Sequence, residues 1–499
     1  MFRRSRIRQD FTQQDVNLSR RGVLKGLGAL LAAGAIPRVT RALIPLGGSS
    51  AGGAFFVDPF VGYTNYWVDG VNGSDSNSGT TQLSPKKTIQ AAINLITSAA
   101  SVVRVLNTGV YAPTTSITMP AIAGTSAAAQ IAIAGLPTYT SAQLPQIVFG
   151  PNAGFYLNSG GNAVNNPAFW KLDVSSSSTS SNQAQVGLIQ FLSQSVVTGL
   201  SISFCRLHDI YGTDLTACLH AEGAGSTATV SDCYLYNVTT SDGPSSDNGA
   251  CILEYQVAVR VDRCDMTGAP CLIYYKRCPP SGNGPIVTNS FFHNYSNDGI
   301  YYGEQGSGDA SGYLNCSVTG CLFLSGFQGI RQNNTENLAQ STGFVAANNT
   351  FADMTNCIAF AAMTGADINS NVMIASGNFL ELQNPSPLAN SLARCDYNSY
   401  QSTPQSWKMN EFGSGAANFT TLTGAGGWNT AFSVGARPEL SANPDTHATT
   451  FTSGSIATNF PNSTTTGNNW DLASGSVLRG TGLAGVDPGY TRASCGPRF

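Results

Sequence analysis

Lys276 is the only lysine between Lys171 and Lys408, and the first carboxylate after it lies in Asn297-Asp298-Gly299. An amine disfavoured in its charged form by a neighbouring cation, here Arg277, can take a proton from a carbon acid. Along the same part of the chain stand His220, Glu222, Tyr255, Tyr275, Tyr301, Arg331 and Asn333. Rings of this kind stack on sugars, and a guanidinium neutralises their acid groups. Each residue also has a plain structural reading. Lys276 reads equally as a surface cation at a turn, His220 as an ordinary polar residue, and Asn333-Asn334 as part of a turn ladder. Which reading holds depends on the elements that carry these side chains and on which way they face.

Composition points to turn-rich β structure. Only 11% of the 499 residues are charged, whereas 54 are glycine, and long stretches are crowded with Ser, Thr and Asn. The net charge of -3 provides no basic field for nucleic acid or anionic lipid. Near the start, Ser19-Arg20-Arg21-Gly22 precedes the apolar run Gly26–Ile36 and the small-residue exit Thr40-Arg41-Ala42. That order predicts a bacterial twin-arginine signal over residues 1–42, delivering the chain to the periplasm or outside the cell. Residues 43–62 read as a linker and 63–499 as one domain. No later run is apolar and long enough for a membrane anchor.

A repeat organises that domain. Stacking the segments around Leu207, Leu235, Met266, Phe292, Phe323 and Phe351 aligns Cys205, Cys233, Cys264, Ser290, Cys321 and Asn349 two places earlier. A second apolar column follows at Leu219, Ile252, Leu272, Ile300, Ile330 and Ile358, usually preceded by Cys or Gly. This spacing is that of solenoid coils stacked at ~4.8 Å, and it predicts an all-β fold, a right-handed parallel β-helix. The twelve cysteines then read as small buried fillers rather than a disulfide framework; Cys271–Cys278 and Cys316–Cys321 are the pairs to test. Ile89, Ala92, Ile93 and Ile96 share one face of a short helix, expected to cap the solenoid within a region of about 63–115. The clearest coils are expected over 200–380, with irregular strands and loops from about 395.

With the second column inward, His220, Leu253, Ile273, Tyr301, Arg331 and Ala359 should point out, followed two residues on by Glu222, Tyr255, Tyr275, Gly303, Asn333 and Ala361. Strict alternation would turn Glu254, Lys276 and Glu304 inward, so the register near Lys276 stays open by one residue.

Three segments, "WVDGVNGSDSNSGT", "SPKKTIQAAINLI" and "VRVLNTGVY", together with the later "CDYNSY" and "WDLASGSVLRGTGL", resemble exported β-helix proteins of the pectate-lyase-like superfamily over about residues 63–490. Within that, "YYKRCPPSGNGPIVTNSFFHNYSNDGIYY" is similar to the lysine-base pectate lyases, polysaccharide lyase family nine. The resemblance implies Lys276 as base and a calcium ion on Asn297 and Asp298; Asp247, in the preceding coil, could contribute a further ligand. The chain departs from the pattern in carrying Asn297 in place of an acid and Tyr301 where a further acid is expected. A second assignment uses Tyr301 or His220 for proton transfer and Arg331 with Asn333 for the carboxylate, without metal.

The expected activity is that of a polysaccharide lyase cleaving a uronate-containing glycan by β-elimination, with the polysaccharide as partner and the chain acting as a monomer. Two alternatives stay open: a non-catalytic glycan-binding or adhesin-like solenoid, and a β-helix glycoside hydrolase using carboxylates from Glu222, Glu254 and Glu304. The hydrolase lacks the close aspartates and the Gly-His-Gly element expected of solenoid polygalacturonases, and no GxSxG elbow supports a serine esterase.

Overall fold

The structure, a computed structural model, describes residues 57–497 except 160–161, 179–185, 193–195, 242–247, 277–283, 304–312, 334–340, 384–391, 402–405, 412–414, 420–447, 452–458, 461–469, 492–494 and a few single positions. The expected twin-arginine segment, Asp247, Arg277, Cys278 and Glu304 therefore lie outside the described residues. No helix among the described residues is long and apolar enough to cross a membrane.

Successive coils lay parallel strands against one another on three faces. On the second face Thr64–Val68, Ser101–Val105, Ile131–Ala134, Pro167–Trp170 and Leu200–Ser203 pair in sequence, and the stack continues through Ile286–Thr288, Ser317–Thr319, Val345–Ala347 and Ala366–Asn369. On the third face Gln146–Phe149, Asp173–Ser176, Arg206–Gly212, Tyr234–Thr240 and Asp265–Thr267 do the same. Helix is nearly absent; Ile89–Ile93 forms a short one behind Thr88, whose hydroxyl accepts from the Ala91 N–H, and buries Ile89, Ala92 and Ile93.

The lumen is filled by side chains stacked like on like. Leu207, Leu235, Met266, Phe292, Phe323 and Phe351 occupy one ladder, as the repeat predicts. The rings of Phe292, Phe323 and Phe351 stack at 4.8 Å centroid spacing, the rise of one coil, so each ring contacts the next over its whole face. The neighbouring small-residue column turns the corner between second and third faces. There Phe204, Asp232, Arg263, Asn289, Asn348 and Ser370 take positive φ, and several backbone N–H groups of the column reach into the next coil's side chains. Cys205 N–H meets Cys233 Sγ at 3.4 Å, Cys264 meets Ser290 Oγ at 3.1 Å, and Cys321 meets Asn349 Oδ1 at 3.0 Å. Asn349, Asn371 and Asn398 continue the chain at 3.0 and 3.1 Å. The column is thus a hydrogen-bond ladder, and Cys, Ser and Asn share it because each is small and carries an acceptor. Every described cysteine is buried, and no disulfide joins Cys316 to Cys321.

The C-terminal segment lies along the third face. Phe460, Trp470, Leu478 and Tyr490 bury Phe291, Leu322, Leu324 and Val372. Leu483 N–H donates to Ser370 Oγ at 2.8 Å, and Tyr490 N–H to Thr350 Oγ1 at 3.2 Å.

On the same face His208 is held between Asp173 (2.6 Å) and Asp209 (2.8 Å) and stacks on Tyr236. Burial works against its charge, but the two carboxylates outweigh it and raise the imidazole above its ordinary pKa. A raised folded pKa stabilises fully below the unfolded value of about 6.5 and is lost as pH rises through the folded value. Thermal stability should therefore fall across that interval above pH ~6.5, and His208→Gln should flatten this part of a Tm-against-pH profile. An unchanged profile in the variant would remove His208 as the cause.

Candidate functional site on the groove face

The first face is built by the strands that enter each coil. Its register places Leu219, Ile252, Ile273, Ile300, Ile330, Ile358 and Leu380 in one inward ladder. The member in the third coil is Ile273, not Leu272 as the repeat predicts. Alternation fails at this corner because two consecutive residues turn inward. Cys218-Leu219, Cys251-Ile252 and Leu272-Ile273 are all buried in the same core. Leu272 occupies the column otherwise held by Cys or Gly, so a large residue in the small-residue position shifts the apparent register by one. At Gly299 the small residue is required: a Cβ there would sit 2.6 Å from the Gly329 carbonyl oxygen and 2.9 Å from the Phe323 ring. Asp298-Gly299, a dipeptide common in turns, lies inside the strand Phe291–Gly303.

The shift reassigns the outward side chains. Tyr274, not Ile273, joins His220, Leu253, Tyr301, Arg331 and Ala359 in the outward column. Tyr275, expected to bind substrate, points into the lumen and is fully buried, and Glu254 is its neighbour in the same inward ladder. Lys276 turns outward beyond Tyr275, its N–H on the Glu254 carbonyl at 2.9 Å. Its ammonium lies 5.7 Å from the centroid of the Tyr255 ring, and 8% of the residue is exposed. Tyr255 and Lys276 therefore meet on the outward side of this face.

The most developed constellation is one coil further. Arg331 places its guanidinium carbon 4.8 Å from the Tyr301 ring centroid and its Nη1 3.3 Å from Asp298 Oδ2. Tyr301 in turn stacks on Tyr274 at 4.8 Å. Asp298 is fully buried while 26% of the Arg331 side chain stays exposed, so a braced cation reaches the surface over a stack of two phenols. Arg331 and Tyr301 are brought together as the sequence suggests; Tyr274 and the bracing role of Asp298 are not legible there. The register match of Asp298 with Gln328, two residues before Ile300 and Ile330, is the signal that could have placed it on this face.

His220 is not on the surface. It has no exposed area, and its Nε2 is 2.8 Å from Glu222 Oε1, so in this geometry it supports Glu222 rather than reaching a glycan. The hydrolase pairing also fails among the described residues: Glu254 is in the lumen and Glu222 is engaged by His220. Gly303 and Asn333 pair through their backbones on adjacent strands.

A calcium site would draw on Asn297, Asp298 and Asp247. A hard dication takes six to eight oxygen ligands with several carboxylates. Here Asp298 already faces a guanidinium, Asn297 is half-buried with its N–H on the Pro270 carbonyl, and no group of three or more His, Cys, Asp or Glu among the described residues could hold a metal. The described donors do not fit calcium.

No family model matches the chain, and no curated protein does. Among solved structures it is similar to a rhamnogalacturonan lyase, at 13% identity and TM-score 0.39 over 82% of this chain and 95% of that one. It is also similar to pectate lyase Pel9A, at 15% identity and TM-score 0.40 over 86% and 94%. The stacked parallel coils with inward ladders make this a parallel β-helix. A parallel β-helix displays long flat faces, on which ligands can lie.

Proposed function

We propose that the protein is an exported polysaccharide lyase that cleaves a uronate-containing glycan by β-elimination on the groove face, working as a monomer. The observation that carries this reading is Arg331, braced by Asp298 and laid over Tyr301. Removing the proton beside a uronate carboxylate pushes charge onto that carboxylate, and a fixed guanidinium stabilises it as it forms. In this reading Tyr301, in contact with Arg331, takes that proton as its phenolate. The C–H electrons form the new double bond, the bond to the leaving oxygen breaks, and that oxygen takes up the proton now carried by Tyr301, which returns to the phenolate. Lys276 with Tyr255 lies two residues along the strand from Tyr274, where a cation and a ring suit the next sugar acid. The reading runs without metal.

The test is incubation with pectate, alginate and glycosaminoglycans, with and without chelator, following the ultraviolet absorbance of unsaturated uronate. Absorbance that persists in chelator supports the Arg331 and Tyr301 site. Loss of all activity in chelator, restored by calcium, would return the site to Lys276 and Asp298. Binding without absorbance or new reducing ends would make the chain a glycan-binding solenoid.

A further inference from the structure

Directly beneath Lys276, Tyr274 and Tyr301, on the inward side of the same strands, the apolar lumen is interrupted. Glu254, Tyr275 and Tyr302 occupy successive positions in one inward ladder, all at 1% exposure or less. The two rings stack at 5.0 Å with an interplanar angle of 18°. Glu254 Oε2 accepts the Val257 N–H at 2.8 Å, while Glu254 Oε1 and both hydroxyls have no protein partner. The carboxyl acts electrostatically on both tyrosines, alongside Cys316 and Cys321. No cation among the described residues pairs with it.

Buried polar atoms without partners are rare, and several that converge mark an ordered water. An isolated carboxylate in such surroundings is so costly that the group takes up a proton instead; burial pushes Glu254 well above the usual carboxylate range, with the single Val257 bond opposing weakly. We propose that Glu254, Tyr275 and Tyr302 form an internal hydrated site in the lumen, where Glu254 stands as a neutral acid and shares at least one buried water with the two hydroxyls. Such a site gives each orphaned oxygen a partner without an ion, and it fixes from below the strands that carry Tyr274, Tyr301 and Lys276. It is independent of the lyase reading.

Infrared difference spectra of the full chain in D2O against Glu254→Gln test it. A protonated-carboxyl stretch should be present at neutral pH, persist into mildly alkaline solution, and vanish in the variant. Tyr275→Phe, which leaves the acid in place, should shift that stretch by removing one partner of the water. A high-resolution crystal structure should show density between Glu254 Oε1 and the hydroxyls. Absence of the stretch in the wild type, no shift in Tyr275→Phe, or a direct contact of Glu254 Oε1 with a tyrosine hydroxyl and no intervening water would each overturn the proposal.

Discussion

Arg331→Ala is expected to lower turnover of a uronate-containing glycan by about 10²- to 10³-fold, with the fold unchanged. The side chain lies on the surface of the stack, so its loss removes a charge aimed at the developing anion without opening the lumen. Arg331→Lys should recover little, because an ammonium cannot lie flat on Tyr301 and meet Asp298 with the same fork. Asp298→Asn separates positioning from charge: Arg331 stays but loses its brace, so kcat should fall while KM moves little, as expected when geometry rather than binding is disturbed. Equal activity in Arg331→Ala and wild type would remove this face from the chemistry. A rise in KM alone would make Arg331 a binding group.

Asn371→Ala should be the most damaging single change in the scaffold. Asn371 sends its amide to the Ala346 carbonyl and to Asn398, and its carbonyl oxygen accepts both the backbone N–H and the side-chain amide of Asn349. Alanine leaves several of these groups buried and unmet, each costing about 1–3 kcal/mol. A loss of about 3 kcal/mol overall, on the order of 5 °C in Tm, is expected. Amide exchange should accelerate in the coils spanning 346–398. Cys233→Ser, in the same column, should be close to neutral, since Ser290 already serves there. Similar stability losses from both would contradict the ladder as the source of the effect.

The ladders were legible because a coil repeats its side chains at one depth. The column from Leu207 to Phe351 needed only large apolar residues at matching places, and the small column two residues earlier followed from it. Near Lys276 the same logic slipped. Leu272 looks like the ladder residue, yet two adjacent positions turn inward at that corner and only the three-dimensional pairing of Ile252 with Ile273 separates them. One residue of shift exchanges Tyr274 with Tyr275 and moves Lys276 from lumen to groove. The ion pair of Asp298 with Arg331 was hidden for another reason: the partners are 33 positions apart, and a turn-like Asp-Gly gives no hint that its carboxylate lies beneath a cation on the next coil.

The C-terminal segment along the third face has a mechanical consequence. A stack of coils joined only to nearest neighbours can peel one rung at a time from a free end. Here Leu483 and Tyr490 are tied to Ser370 and Thr350, contacts spanning 113 and 140 residues. Peeling through the coils that carry Thr350 and Ser370 must first detach this strap, so the resistance to opening there is concentrated in one event instead of being spread along the column. Contacts of such long range also form late during folding. The strap therefore acts as a latch fastened after the coils are in place, setting how long the finished solenoid survives, in the sense of a rate.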